Sequence, residues 1–347
     1  MKIGMVSPLA YPVPPERYGG IELVVYYLIE GLVKKGHEVT LFAPEGSKTS
    51  AKFDTKFTKP IIGGSLDAEN LDYCQKRARY IAESSADFDI VHNHDGFLPM
   101  VESANMKCPL VSTWHVPLGR PEKMKPEWRE MMLKENLVSI SYSQRKPFPE
   151  ANFVANVYNG TTDLEKYQFS EGGEYLIWFG RFDDYKGPRE AIEVAKRTGH
   201  KIVLAGKADS DDQKKYFNDF IKPEIDNEKV IFLGQIGIEE KNKWLGKSKA
   251  FLMPIDWEEP FGLVMIEAMA CGTPVIAFNR GSVSEIVKDG ETGFIVEPGN
   301  VDKMVEAVGN LSSIDRRKCR ESVEKDFSIE RMVDSYEAVY QKLIEKH

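Results

Sequence analysis

At 347 residues the chain is about twice the length that a single hydrophobic core usually serves, so two domains are expected. Its 42% apolar and 29% charged content excludes disordered, collagen-like and coiled-coil classes. The formal charge of −8 leaves no basic excess to neutralise a phosphate backbone, which argues against nucleic acid as a partner. Cys74, Cys108, Cys271 and Cys319 lie far apart with no C-x-x-C pair. They read as small buried hydrophobes in a reducing compartment, and neither a disulfide framework nor a zinc site is expected.

The opening MKIGMVSPLAYPVPP has one lysine and a short apolar run that gives way to prolines, unlike a secretory signal. No stretch approaches the roughly 18 uninterrupted apolar residues of a membrane span. A cytoplasmic protein is expected. A strand is predicted over 3–7, a helix over 21–35 ending at Gly36, and a strand over 38–43. Further strands follow at 90–93, 110–114, 138–141 and 153–157. A polar, glycine-containing break spans 163–174. The rhythm then restarts with a strand at 175–179, a helix at 188–198 and strands at 201–205, 230–233, 250–254, 274–278 and 293–296. A helix is predicted over 262–270. A last one over 328–346 carries Met332, Val333, Tyr336, Val339, Tyr340 and Leu343 at helical spacing. Apolar strands alternating with helices predict parallel sheets covered on both faces, one in each half of the chain. Two such doubly wound domains would bind ligands beyond the carboxyl ends of their strands, in a cleft between them.

Three segments carry chemistry. After the first strand, SPLAYPVPPERYGGIE places Gly19 and Gly20 at a helix start, where bare amides could approach an anion; the plain alternative is a helix-entry turn. In FGRFDDYKG, Arg181 and Lys186 fall in the loop at a strand's carboxyl end, as cations for a pyrophosphate or as ordinary surface charges. In PIDWEEPFGLVMIEAMACGTPVIAF, Glu259 precedes a helix and Glu267 follows eight positions on, about two turns along it. The amides of Phe261, Gly262 and Leu263 would stand at that helix start, open to a phosphate or a sugar hydroxyl. Glu267, in an apolar surround, would reach a pair of hydroxyls; the plain alternative is a capping acid followed by a solvated helical acid.

This last segment resembles the Glu-x7-Glu motif of retaining, nucleotide-sugar-dependent glycosyltransferases of family 4, which have the GT-B fold. YGGIE resembles that family's N-terminal glycine loop, GRFDDYKG its Arg-x4-Lys-Gly segment, GSVSEIVKDGETGFIV its continuation and FSIERMVDSYEAVY its closing helix. The resemblance covers essentially the whole chain. It implies an α/β protein of two Rossmann-like doubly wound domains: an acceptor-binding domain over 1–165, a nucleotide-sugar-binding domain over 166–327, and a helix over 328–347 crossing back to the first. Arg181 and Lys186 would bind the donor diphosphate in place of a metal ion. Glu267 would hold the ribose hydroxyls, and Glu259 those of the transferred sugar. The amides of Phe261, Gly262 and Leu263 would bind sugar and phosphate oxygens, Gly19 and Gly20 the diphosphate, and Gly234 and Gln235 the base.

His115, in STWH, matches a family histidine at a strand end and would lie near the transferred sugar and the acceptor. His92, His94 and Asp95, in VHNHDGF, are acceptor-binding candidates or strand-end structural residues; a His-x-His-Asp spacing suits metal, but no further ligands accompany it, and none is expected. Asn159-Gly160 resembles the family's turn before an acid, but NGTTD either places Thr162 where that acid usually stands or inserts a residue before Asp163, so Asp163 is assigned no role. Transfer with retention by front-face displacement is the implied reaction, with no cofactor beyond a UDP, GDP or ADP sugar. A sugar-nucleotide 2-epimerase of the same fold and a binding protein with decayed catalysis are the alternatives. The acceptor would be a small molecule, a saccharide or a lipid-linked group. Residues 120–146 hold seven Lys/Arg against four Glu, either a solvated surface or a peripheral contact with anionic lipid.

Overall fold

The computed structural model describes residues 1–16, 19–61, 67–161 and 167–347. The chain divides into two units, Met1–Gly160 together with Ile329–His347, and Thr161–Ser328. The polar break at 163–174 falls partly outside the described residues.

Unit 1 alternates strands and helices: β1 (Lys2–Val6), α1 (Gly20–Lys34), β2 (Glu38–Phe42), β3 (Lys52–Phe53), α2 (Ala68–Ser84), β4 (Ile90–Asn93), α3 (Phe97–Val101), β5 (Leu110–Trp114), α4 (Pro126–Lys134), β6 (Asn136–Ser139) and β7 (Phe153–Asn156). The strands form one parallel sheet in the order β3-β2-β1-β4-β5-β6-β7. β1, β4 and β5 are almost wholly buried, as strands covered on both faces must be, including the polar His92, Asn93, Ser112 and Thr113. The two-residue β3 was not anticipated, because so short a strand carries no readable alternation.

Unit 2 repeats the scheme with β8 (Tyr175–Arg181), α5 (Pro188–Thr198), β9 (Ile202–Lys207), α6 (Asp211–Tyr216), β10 (Val230–Phe232), α7 (Ile238–Gly246), β11 (Ser248–Met253), α8 (Leu263–Ala270), β12 (Val275–Phe278), α9 (Val283–Ile286), β13 (Gly293–Val296), α10 (Val301–Gly309) and α11 (Arg316–Asp326). Its parallel sheet runs β10-β9-β8-β11-β12-β13. Its core joins Leu176, Trp178, Ile202, Leu204, Leu252 and Ile276 to Ala191, Ile192 and Val308 from the helices.

The final helix, α12 (Ile329–Ile344), belongs to unit 1. It buries the six apolar positions that its sequence spaces at helical intervals. Gly31 of α1 lets it approach closely, since a Cβ there would stand 2.4 Å from a methyl of Val333. Lys35 and His37 fasten the same pair of helices through Glu337, at 2.5 and 3.0 Å.

All four cysteines are buried and free, as their spacing suggested. Burial pushes the Cys108 thiol up to about 11 and those of Cys271 and Cys319 up to about 12, which keeps them protonated and unreactive. Among the described residues no helix is long and apolar enough to cross a membrane.

Candidate functional site

The order of each sheet reverses direction once, between β1 and β4 in unit 1 and between β8 and β11 in unit 2. At such a point the chains leaving the two strands diverge, and ligands bind there in open α/β sheets. Many of the residues singled out in the sequence lie near these two places, whereas Gly234 and Gln235 follow the edge strand β10 and Asn159 and Gly160 the edge strand β7.

In unit 2, Arg181 is not in a loop, as expected, but is the last residue of β8, whose pairing with β9 continues to Arg181 opposite Lys207. Its Nε lies 3.1 Å from Asp183 Oδ2, and it donates from Nη2 to the Tyr185 hydroxyl at 2.6 Å. Tyr185 in turn donates to Asp183 at 2.9 Å, and Gln213 holds the other Asp183 oxygen at 3.0 Å. The turn continues through Lys186 to Gly187, which has φ 70°. A Cβ at Gly187 would stand 2.0 Å from the carbonyl oxygen of Pro254, so only glycine lets this turn lie against the loop after β11. The Asp256 amide donates to the Tyr185 carbonyl at 2.8 Å and fixes the two loops together.

That contact brings Lys186 Nζ to 2.8 Å from Glu259 Oε2, with side-chain exposures of 17% and 13%, so the pair is shielded from solvent in a way surface pairs are not. The ammonium also lies 4.0 Å from the centre of the Trp257 ring, and Trp257 Nε1 donates to the same Glu259 oxygen at 2.8 Å. On the other side, Ser282 donates its amide to the Glu259 carbonyl at 2.9 Å. Glu267 is buried in α8 and paired with Lys241 of α7 at 2.5 Å.

The helix of the third motif starts at Leu263, one residue later than expected, with Gly262 in the left-handed region at φ 80°. Gly262 and Leu263 thus stand at the amino end of α8, where the first amides lie outside the helix's own hydrogen-bond ladder. Phe261 turns its side chain into the core, and its carbonyl accepts the Ser282 hydroxyl at 2.7 Å. Gly234 and Gln235 follow β10; Gly234 accepts the Gly206 amide at 2.9 Å and Gln235 is exposed. A hollow of about 460 Å³ elsewhere in the unit lies at the opposite ends of these strands, near Lys249 and Pro274. Arg316 in its wall is committed to the carbonyls of Ser170, Gly246 and Ser248.

In unit 1, Gly19 caps α1 and Gly20 begins it, with Tyr18 of the same motif outside the described residues. Two positions on, Glu22 is only 4% exposed. Burial pushes its carboxyl up to about 7, against a hydrogen bond from its own amide and with help from the charge of Asp95. Asp95 follows β4 and pairs with the buried Arg77 at 2.7 Å; Arg77 also donates to the carbonyls of Ser7 and Phe42, at 2.8 and 2.9 Å. Burial raises the Asp95 carboxyl to about 6 even though Arg77 opposes the shift.

The three histidines form one hydrogen-bonded row. His94 Nδ1 is 2.7 Å from His115 Nε2, and His94 Nε2 is 3.3 Å from His92 Nδ1. His92 is sealed inside the unit, with Nδ1 2.7 Å from the Tyr340 hydroxyl and Nε2 2.7 Å from Thr113 Oγ1. Only His115, just beyond β5, is partly exposed. Burial keeps His92 and His94 far below the usual imidazole range and lowers His115 to about 3, so all three are neutral near pH 7. Among the described residues no group of three His, Cys, Asp or Glu side chains is placed to hold a metal ion. Asn159 and Gly160 follow β7, and the Gly160 amide lies 3.1 Å from Met332 Sδ of α12. Asp163 lies outside the described residues.

Sequence reasoning passed over Glu22, Arg77, Tyr185, Lys241, Trp257, Tyr336 and Tyr340. Glu22, Tyr185, Trp257, Tyr336 and Tyr340 stood inside the quoted motifs and could have been found there. Lys241 had no local signal, because its partner lies 26 residues away.

Comparison with known proteins gives concordant findings. A family model described as glycosyl transferases group 1 matches residues 160–326, and one described as Glycosyltransferase Family 4 matches 18–138. The chain is 27% identical to a phosphatidyl-myo-inositol mannosyltransferase of Propionibacterium freudenreichii, over 95% of this chain and 89% of that one. It is 24% identical to spore coat protein SA of Bacillus subtilis, over 99% and 100%. Among solved structures, a sucrose-phosphate synthase from Thermosynechococcus elongatus superposes with a TM-score of 0.81 at 20% identity, covering both chains fully. The Anabaena protein HepE in complex with UDP-glucose gives 0.75 at 18%, over 99% of this chain and 100% of that one.

Proposed function

Since the chain belongs to glycosyltransferase family 4 and has the GT-B fold, we propose that it moves a sugar from a nucleoside-diphosphate sugar to an acceptor hydroxyl with retention at the anomeric carbon. The observation that carries this reading is the pair of interlocked loops after β8 and β11. They hold Arg181, Lys186 and Glu259 beside the amino end of α8, with the cations on rigid supports.

A departing diphosphate gains one negative charge, on its terminal oxygen, as the bond from that oxygen to the anomeric carbon breaks. Arg181 and Lys186 answer that charge without a metal ion, each attraction being about 4 kcal/mol at 4 Å and an effective dielectric near 20, before desolvation. Because both side chains are already held in place, little reorganisation accompanies the reaction. Lys186 exchanges its Glu259 partner for a phosphate oxygen, which releases Glu259 to accept hydrogen bonds from the sugar. The amides of Phe261, Gly262 and Leu263 supply donors to the same oxygens, and Gly19 and Gly20 contact the diphosphate. Glu267, pinned by Lys241, binds the ribose hydroxyls, and the backbone at Gly234 and Gln235 meets the base.

Displacement occurs on one face: the leaving diphosphate helps deprotonate the acceptor hydroxyl as the new bond forms. His115, with His94 and His92 in a row behind it, serves the acceptor side in unit 1, together with Asp95 on its Arg77 support. The acceptor is a saccharide, a lipid-linked group or another small hydroxyl compound. HepE is a neighbour solved with UDP-glucose, which favours a uridine donor as the first to try. Incubation with UDP-, GDP- and ADP-sugars without acceptor tests the reading, since slow release of free sugar marks a transferase. An epimerised sugar nucleotide as the product would point to the 2-epimerase, and binding without turnover to a decayed enzyme.

A further inference from the structure

The row of imidazoles in unit 1 ends on the C-terminal helix, and its hydrogen-bond directions can be worked out. Every contact along it joins two groups that could each donate or accept, so a group with a one-way preference orders the row; of the two phenols, Tyr336 meets Thr113 and Tyr340 meets an imidazole directly. A phenol is a good donor and a poor acceptor, whereas the bare nitrogen of a neutral imidazole is a strong acceptor. The Tyr340 O–H therefore donates to His92 Nδ1, across 2.7 Å. Burial raises Tyr340 well above the usual phenol range, which keeps its proton in place.

With Nδ1 of His92 accepting, its proton resides on Nε2 and is donated to Thr113 Oγ1 at 2.7 Å. Thr113 can accept this bond and also one from the Tyr336 hydroxyl at 2.9 Å, because a hydroxyl oxygen has two lone pairs. The single lone pair of His92 Nδ1 is taken by Tyr340, so His94 Nε2 makes only a secondary contact with it at 3.3 Å, but a bare His94 nitrogen there would set two electron-rich atoms against each other. His94 thus carries its proton on Nε2 and accepts at Nδ1. The partner at that nitrogen is His115 Nε2, at 2.7 Å, which must then be the donor.

We propose that Tyr340 is a positioning residue: acting through His92 and His94, it holds His115 as the Nε2–H tautomer with the lone pair on Nδ1. A helix far along the chain thereby determines which face of the site histidine accepts a proton. The proposal rests on the reading of His115 as the histidine that serves the acceptor, but the order of protons is measurable without any activity.

The test uses the full chain labelled with ¹⁵N-histidine, read by long-range ¹H–¹⁵N spectra at neutral pH, with His115 assigned by His115→Gln. The expected wild-type spectrum shows His115 protonated at Nε2 and bare at Nδ1. In Tyr340→Phe the two His115 nitrogens move toward each other, as both tautomers become populated. In Tyr336→Phe, which removes a buried hydroxyl that the ordering does not need, they stay in place. A wild-type His115 protonated at Nδ1 overturns the proposal even if Tyr340→Phe fails to fold. So do unchanged His115 shifts in a folded Tyr340→Phe, or an equal change in Tyr336→Phe. Should the spectra come out as expected while His115→Ala keeps wild-type turnover, the row of histidines stands and the acceptor reading of His115 falls.

Discussion

The two switch points of this protein handle polar groups in opposite ways. At the edge of unit 2, cations meet carboxylates: Lys186 with Glu259, Arg181 with Asp183, Lys241 with Glu267. At the edge of unit 1, burial works against charge, keeping three imidazoles neutral and raising the carboxyls of Glu22 and Asp95. Arg77 there bonds one carboxylate and two carbonyls through its terminal nitrogens. The contrast matches two kinds of ligand. Fixed, paired charges suit a multiply charged diphosphate that can trade partners, while a neutral hydrogen-bonded network suits a hydroxyl group whose proton must be managed.

The contrast breaks most sharply at the clamp. Arg181→Ala or Lys186→Ala is expected to lower turnover by about 10²–10³, or roughly 3 kcal/mol, by analogy with the loss of one preorganised donor. Near-wild-type turnover at saturating donor would remove either residue from its role. A comparable energy is at stake in unit 1, but in stability. The folded Glu22 carboxyl sits at about 7 against 4.5 when unfolded, so folding loses about 3 kcal/mol as the pH rises across that window. Glu22→Gln has no such loss. Urea unfolding should find the variant equal to the wild type near pH 4.5 and more stable by up to about 3 kcal/mol at pH 8. A difference that does not grow with pH would show that Glu22 is not held in an apolar site. The histidines act in the other direction: with His115 lowered to about 3, their stabilisation is present above pH 6.5 and lost as the pH falls.

Lys241→Met tests whether the pairs in unit 2 are structural as well as functional. It leaves the buried Glu267 without its cation, and because Lys241 is 21% exposed the cost should fall below that of a fully buried pair, at about 2 kcal/mol. Nucleotide affinity should fall with it, by calorimetry. The smallest effect is expected for Trp257→Phe, which keeps a ring over Lys186 and removes one donor to Glu259. A loss of about 1 kcal/mol, or fivefold in turnover, would mark that hydrogen bond as orienting the carboxylate.

What could be read in the sequence was local. The short apolar stretches at the start of β4, β5 and β8 announce buried parallel strands, and α12 shows its buried face in the spacing of Met332, Tyr336 and Tyr340. Lys186, Glu259 and Glu267 were visible because each stands at a fixed offset from a strand end or a helix start. Partners brought together by the fold were not visible. Tyr340 reaches His92 across 248 residues, and Asp95 finds Arg77 through a helix whose composition is ordinary. Arg181 was misplaced by one element because the pairing of β8 with β9, not the residue's own preference, carries the strand to its end.

The central claim is that the paired charges of unit 2 receive a nucleoside diphosphate, and titration calorimetry tests it most directly. UDP, GDP and ADP would be titrated into the wild type, Lys186→Ala and Glu267→Ala without added metal. We expect one of the three to bind the wild type and to bind both variants more weakly. Binding of none of them, or equal affinity in all three proteins, would contradict the account.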